Sequence, residues 1–462
     1  MKFPSSSTNL TARMWMVALV FLLAGCRPDP QPPERWPVEH APRRVFAHYM
    51  VCCPAAGADA SVEDFEKEIL AAQSRGIDGF ALNAGGWQRE SAYKAAVLKI
   101  YRAAERLGTG FQLFPSADFC CGLSDDEVAG MMRTVYDHAN QFRFENRPLL
   151  STFSGGENLE DIAGRLAAEG RPIAVVPYVF PLPPDEHPGG AEMDEVFNRI
   201  SWADGFFFFA GPGTGEQHAA TNARLARKWL GAGKVFMAGI TYWYRGYGGN
   251  YRVFDGRGFE GAAAQWENVI RMRIPWVELV TWNDWGEASY LAPFGEAAET
   301  SLWNGHWGPA PSHEGFLDAS RYYIEWFKTG APPPVERDEL FYFYRPHAKN
   351  LQGVVKPNES KRGLPAGADR LLDRIFVTAF LTAPARLTVA SGAEETAFDL
   401  EAGVHHLRAP LTPGRPRFRL ERDGAVLIDK LGEHAISATD AWANFNPFAG
   451  SAAAPTPASK AP

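Results

Sequence analysis

From Arg44 onward, short apolar runs alternate with longer segments whose apolar residues recur every three or four positions. The first pattern suits buried strands and the second suits helices with one covered face. VFAHYMV (45–51) opens the series, and a helix over 61–76 follows it. Ser61 and Asp64 have capping-box spacing there, and Gly76 stands at the stop. The next strands and helices fall at 79–83 and 90–107, then at 111–119 and from Ser124 to about 140, with Ser124 and Glu127 as a second capping-box pair. The rhythm continues at 148–154 and 158–169, 172–180 and 191–200, 205–210 and 216–231, 234–244 and 260–273, and 276–284 and 313–328. The strands are apolar nearly throughout, as parallel strands covered by helices are. Eight such units predict an α/β chain whose residues 43–333 close into a (β/α)₈ TIM barrel. The main rival, an open doubly wound sheet, would often bring a Gly-rich phosphate loop after its first strand, and HYMVCCPAAG is not one.

Pro332-Pro333-Pro334 breaks the pattern. Beyond it the texture changes to short alternating strands at 340–347, 374–382, 385–391, 416–424 and 425–431, with Asp423-Gly424 as a hairpin signal. Residues 336–440 therefore read as a smaller C-terminal β-sandwich domain. Residues 444–462, rich in Ala, Pro and Ser, read as a disordered tail.

The N-terminus reads as a targeting segment. Lys2 and Arg13 precede the apolar run 14–25, which is shorter than the roughly 20 residues a bilayer span needs. Residues 1–25 fit a signal peptide. The run ends in Leu23-Ala24-Gly25-Cys26, which resembles the bacterial lipobox, with Cys26 as the lipidated residue. Arg27 in place of Asp favours an outer-membrane anchor in the cell envelope, and the Pro-rich stretch 26–42 reads as a tether from that anchor. The remaining cysteines form two adjacent pairs, Cys52-Cys53 and Cys120-Cys121. In an oxidising compartment, one or two disulfides cross-linking the pairs are favoured over a four-thiolate zinc site, which lacks the common spacing. The net charge of −8 argues against nucleic acid or an anionic membrane surface as a partner. The 14 tryptophans suit a surface that stacks sugar rings, or simply a large aromatic core.

Barrel enzymes place their chemistry at the C-terminal ends of the strands. That rule selects His48 after strand one, Asn83 after strand two, Asp118 after strand three and Tyr178 on strand five. It also selects Tyr242, Trp243 and Tyr244 after strand seven, and Trp282, Asn283, Asp284 and Glu287 after strand eight. Asp284 and Glu287, with Gly286 between them to let the backbone turn, are the catalytic candidates, because glycoside hydrolysis needs two carboxyl groups. The competing reading is a pair of solvated loop acids. His48 and Asn83 suit a sugar hydroxyl or a hydrogen-bonded core position equally well. Trp243 and Tyr244 suit stacking platforms or loop packing, and Trp303 and Trp307 suit a cleft wall. Asp78 and Asp204 repeat one local pattern, Asp-Gly-Phe, at the starts of strands two and six, where a structural role is expected. His306 and His313 have no metal-ligand spacing, so neither a metal nor a cofactor is expected.

VFAHYMV, GIDGFALN and VELVTWNDWGEASY, together with RPHAK (345–349), resemble glycoside hydrolase family 71, the α-1,3-glucanases or mutanases. The resemblance covers roughly 43–350. It implies hydrolysis of α-1,3-glucan with inversion, by an Asp-x-x-Glu pair that falls on Asp284 and Glu287, and the polysaccharide as partner. It also implies a further Asp, for which Asp78 is a weak candidate against its structural reading. The cysteine pairs and residues 245–258 depart from the family pattern, which leaves substrate choice and endo or exo action open. The alternatives are a barrel glycosidase for another α-linked glycan of the α-mannan type, and a non-catalytic glycan-binding surface lipoprotein.

Overall fold

The computed structural model describes residues 36–38, 41–89, 91–179, 190–210, 213–246, 250–293, 310–350, 364–439 and 445–455. The leader, Cys26, most of the tether, and Trp303, His306 and Trp307 lie outside them.

Eight parallel strands carry the first part of the molecule: β1 (Arg44–Met50), β2 (Gly79–Ala84), β3 (Gln112–Asp118), β4 (Arg147–Phe153), β5 (Ala174–Pro177), β6 (Gly205–Phe208), β7 (Val235–Thr241) and β8 (Trp276–Val280). A helix follows each in turn: α1 (Val62–Gln73), α2 (Ser91–Leu107), α3 (Asp125–Val135), α4 (Leu159–Ala168), α5 (Gly190–Arg199), α6 (Gly215–Gly231), α7 (Glu260–Arg271) and α8 (Glu314–Thr329). The strands pair in the order β5-β4-β3-β2-β1-β8-β7-β6, so the first and eighth are direct neighbours and the sheet curls on itself. The capping boxes at Ser61/Asp64 and Ser124/Glu127 are formed, and Thr214/Gln217 adds a third. Gly215 and Gly261 let α6 and α7 cross in contact, since a Cβ on Gly215 would lie 2.2 Å from the Gly261 Cα.

The two Asp-Gly-Phe segments do the same work. The Asp78 amide donates to the Val45 carbonyl at 2.7 Å, and its Oδ2 accepts from the Val45 amide at 2.8 Å. The Asp204 amide donates to the Val175 carbonyl at 3.0 Å, and its Oδ2 accepts from the Val175 amide at 2.8 Å. Each thus clasps the start of a neighbouring strand, and in the second case it links β5 to β6. Lys328 on α8 neutralises Asp78 at 2.7 Å, and Arg147 neutralises Asp204 at the same distance.

Two strands end earlier than their apolar runs. β7 stops at Thr241, and Trp243–Arg245 turns aside to pair with Val253–Asp255 as a hairpin over the strand ends. β8 stops at Val280, and the peptide bond to Thr281 is cis.

Beyond the prolines lie β9 (Glu339–Tyr344), β10 (Arg374–Leu381), β11 (Ala385–Ser391), β12 (Glu394–Leu400), β13 (Gly403–Pro410), β14 (Arg417–Arg422), β15 (Ala425–Leu431) and β16 (Phe448–Ala453). They form two four-stranded antiparallel sheets, β13-β10-β9-β16 and β12-β11-β14-β15. Alternate residues of β9 and β10 (Leu340, Tyr342, Ile375, Val377) meet Leu387, Phe418 and Leu420 of the other sheet in one core. The opposite faces of β9 and β10 (Phe341, Phe343, Phe376, Phe380) join the core of the parallel sheet. The tail expectation is corrected over 448–453. This small-residue segment pairs with β9 along its whole length, and Gly315 of α8 packs closely against Ala449 and Gly450.

Candidate active site

The loop after β8 is tied down by its own polar residues. Thr281 accepts from the Asp284 amide through its hydroxyl at 3.0 Å and meets the Ser289 hydroxyl at 3.0 Å. The Asp284 carboxylate accepts from the Glu287 amide at 2.9 Å and also from the Gly286 amide. These bonds wind residues 284–287 into a tight turn, which is how an Asp and a Glu three positions apart come to share one region. Glu287 accepts from the Tyr244 hydroxyl at 2.8 Å, and Asn250 bonds that same hydroxyl. Arg252 adds its charge nearby. The hairpin that turned aside from β7 therefore supplies the environment of Glu287.

Both carboxyls are raised above their ordinary values. For Asp284 the leading cause is burial, followed by the negative field of Glu287, and the shift is large. For Glu287 burial outweighs the donors Tyr244 and Asn250, which favour its ionised form. Two buried carboxyls in one field titrate as a pair, and burial favours their protonated forms. One proton on two carboxyls is the state an acid–base pair requires.

Glu287 borders a cavity of about 300 Å³ whose walls include Tyr178, Phe209, Trp243, Tyr244 and Arg252. Asp284 is on the other side of the turn, within the field of Cys52. Asp118 ends β3 and caps the short turn after it by accepting from the Cys120 amide at 2.9 Å. Asn83, paired with Met50 and Ser116 across the strand ends, is buried, and its side chain has no hydrogen-bond partner among the described residues.

Trp282 and Asn283 serve the scaffold. Trp282 is 0% exposed, and its indole donates to Glu68 of α1 at 2.8 Å. Asn283 is also 0% exposed and binds the Met50 amide at 2.7 Å and the Met50 and Cys53 carbonyls. Their expected contact with a ligand is corrected, because both use their polar groups to fasten the β8 loop to the end of β1. Asp78, the weak candidate, stands at the opposite end of the strands from Asp284. His48 is buried with its Nδ1 2.6 Å from Glu278, whose carboxyl is raised by burial, and its ring lies edge-on to Phe209 of the cavity wall. His313 is buried between the Tyr290 carbonyl and Asn446, and burial pushes it down to about 4. The expected disulfides are not formed among the described residues: all four cysteines are free, with the Cys52 and Cys53 sulfurs 2.6 Å apart and Cys120 bonded to Ser154. No cluster that could hold a metal ion occurs among the described residues.

Sequence reasoning passed over Asn250, Arg252, Phe209 and Glu278. The alternation in GGNYRVFDG was a usable sign of the hairpin that holds the first two.

A curled parallel sheet with an Asp/Glu pair at its strand ends, next to an aromatic cavity, is the construction of a glycosidase. The model of glycosyl hydrolase family 71 matches residues 41–461, and the chain belongs to that family. It is a glycoside hydrolase. Among its relatives is a mutanase of Penicillium rubens, 30% identical over 416 residues that cover 88% of each chain. Another is the glucan endo-1,3-alpha-glucosidase agn1 of Schizosaccharomyces pombe, 28% identical over 89% of this chain and 95% of that one. Among solved structures, the endo-alpha-mannosidase of family GH99 from Bacteroides thetaiotaomicron is similar over 63% of this chain and 99% of that chain, with 12% identity and a TM-score of 0.48.

Proposed function

We propose that this enzyme hydrolyses α-1,3-glucan within the chain and with inversion at the anomeric carbon. The observation that carries the reading is the Asp284–Glu287 pair, buried at the strand ends with both carboxyls raised above their ordinary values. The mutanase and endo-glucosidase names of its relatives supply the linkage. Glu287 faces the cavity, and the Tyr244 hydroxyl on its Oε1 leaves the other oxygen to give a proton to the glycosidic oxygen. Asp284 takes the proton of a water attacking from the opposite face, and the Glu287 and Gly286 amides favour its ionised form against the burial that raises it. Inversion requires the carboxyls roughly 6.5–9.5 Å apart when sugar is bound, with the water between them. Tyr178 and Trp243 on the cavity wall, with His48, Asn83 and Asp118 at the strand ends, are the proposed substrate contacts.

The eight strands are read as a closed (β/α)₈ barrel and the two antiparallel sheets as a β-sandwich that braces it. Lipidation of Cys26 would hold the enzyme at the cell envelope, on the outer membrane, facing a polysaccharide it degrades.

The test uses the chain begun after Cys26, insoluble α-1,3-glucan, and the variants Asp284→Asn and Glu287→Gln. Release of oligosaccharides by the parent and loss in both variants is the expected result. Release that survives both substitutions removes these residues from the mechanism. Absence of release by the parent moves the reading to another α-linked glycan. An activated aryl glycoside restores turnover to the Glu287 variant and not to the Asp284 variant if the roles are as assigned.

A further inference from the structure

Cys52 and Cys53 follow β1 at the rim of the site, with Cys52 exposed and Cys53 partly so. Their sulfurs are 2.6 Å apart. The Cys53 carbonyl accepts two hydrogen bonds, from Asn283 Nδ2 at 2.8 Å and from the Trp285 indole at 2.8 Å. Those two donors flank Asp284 in sequence. Of the other thiols, Cys120 lies 2.8 Å from the Ser154 hydroxyl, and Cys121 packs against Gly85 beside Asp118, within the field of Cys52.

We propose that Cys52 and Cys53 form a reversible thiol–disulfide couple, and that closing their ring is passed through the Cys53 carbonyl to the loop that carries Asp284. The activity half of this proposal rests on the glucanase reading; the redox half does not. Adjacent residues have Cα atoms about 3.8 Å apart, short of the roughly 4.4–6.8 Å that disulfides usually span. A bond between them is strained and easily reduced, which suits a labile couple and not a structural staple. The Cys53 thiol hydrogen-bonds to the Cys52 sulfur and lowers the pKa of Cys52, while Cys53 itself is raised. Cys52 is therefore the sulfur that attacks first.

The oxidant is a small-molecule disulfide. The Cys52 thiolate attacks one of its sulfurs, the S–S bond breaks, and one thiolate leaves. Cys53 then gives up its proton, and its sulfur attacks that of Cys52 and expels the second thiolate. The two cysteines lose two electrons and two protons, and the oxidant becomes two thiols. Ring closure draws the Cys53 carbonyl out of line with one of its two donors. The oxidised enzyme is thus the slower form.

Trypsin provides a direct test. Cleavage after Arg44 and Lys67 isolates a peptide whose cysteines are Cys52 and Cys53, while cleavage after Arg106 and Arg133 isolates Cys120 and Cys121. The protein is treated with oxidised glutathione, alkylated, digested and weighed. The expected first peptide carries no alkyl group and is lighter by two hydrogen atoms, and dithiothreitol restores two alkylation sites. A link between the two peptides, or two alkylated thiols after oxidation, overturns the couple. Tryptophan emission on oxidation reads the transmission without reference to activity: a change in the parent that is absent from Trp285→Phe is expected, and no change in the parent overturns it. On α-1,3-glucan, kcat should be about threefold to tenfold lower in the oxidised form, the scale of a sub-ångström displacement beside reacting groups. That ratio should fall to one in a Cys52→Ser, Cys53→Ser double variant, and a ratio of one in the parent overturns the link to Asp284. An enzyme that releases no sugar in either state sinks the glucanase reading alone, and mass and emission still decide the couple.

Discussion

The two ends of the parallel strands treat the same kind of side chain in opposite ways. At the starts of β2 and β6, Asp78 and Asp204 each receive a backbone amide and a cation, so every charge has its counterpart. At the far end, Asp284 receives backbone amides and Glu287 a phenol, and Asp284 lies in the negative field of Glu287. The first arrangement holds strands in register. The second raises both carboxyls above their ordinary values by burial, with the field of Glu287 adding to the shift of Asp284. A carboxylate at a strand start is compensated, and one at a strand end is left under tension, and that difference separates scaffold from chemistry.

The largest expected effect breaks only one side of the comparison. Asp284→Asn and Glu287→Gln should each lower kcat/KM on α-1,3-glucan by roughly 10²–10⁴-fold, the range of general acid–base contributions, with circular dichroism unchanged. Asp78→Ala should leave the turnover of folded enzyme intact and cost about 1–3 kcal/mol of stability, because it strands the Val45 amide and Lys328. Thermal unfolding should also separate the two ends by sign. Asp284 has a folded pKa above its unfolded one, so the folded state binds the extra proton and stability falls as pH rises between the two values. Asn cannot ionise, so Asp284→Asn should raise Tm at neutral pH where Asp78→Ala lowers it. A fall in Tm for Asp284→Asn would mean the site is not under tension.

Smaller changes sharpen the picture. The Tyr244 hydroxyl favours ionised Glu287, so Tyr244→Phe should raise the Glu287 pKa and move the alkaline limb of the kcat/KM profile upward, with about a tenfold loss at the optimum. An unmoved limb would detach Glu287 from the acid role. Lys328→Met removes a partly exposed partner of Asp78 and should cost at most about 1 kcal/mol by urea unfolding.

The strand–helix rhythm was legible because parallel strands are apolar on both faces and capping boxes leave a fixed spacing. Asp284 and Glu287 were legible because the strand-end rule left few places for chemistry. Trp282 and Asn283 misled because a residue at a strand end turns toward the cleft or toward the scaffold, and only the partner decides; Glu68 and the Cys53 carbonyl come from the first strand–helix unit. The hairpin partners Asn250 and Arg252 lie in 245–258, past the strand-seven run, where the sequence showed chiefly a departure from the family pattern. β12 and β13 carry partly exposed, polar-rich faces, and β16 is Ala, Gly and Ser after Phe448, so none of them shows the apolar alternation by which strands are found.

That small-residue strand has a consequence for how the enzyme is made. β16 seats against α8 at Gly315, while Val253 of the active-site hairpin donates its amide to the Ala366 carbonyl in the segment before β10. One brace of the hairpin that surrounds Glu287 is therefore synthesised after Glu287 itself. A ribosome that has finished the eighth strand has made the partners of the catalytic pair, and the segment that braces their hairpin from behind emerges only roughly eighty residues later.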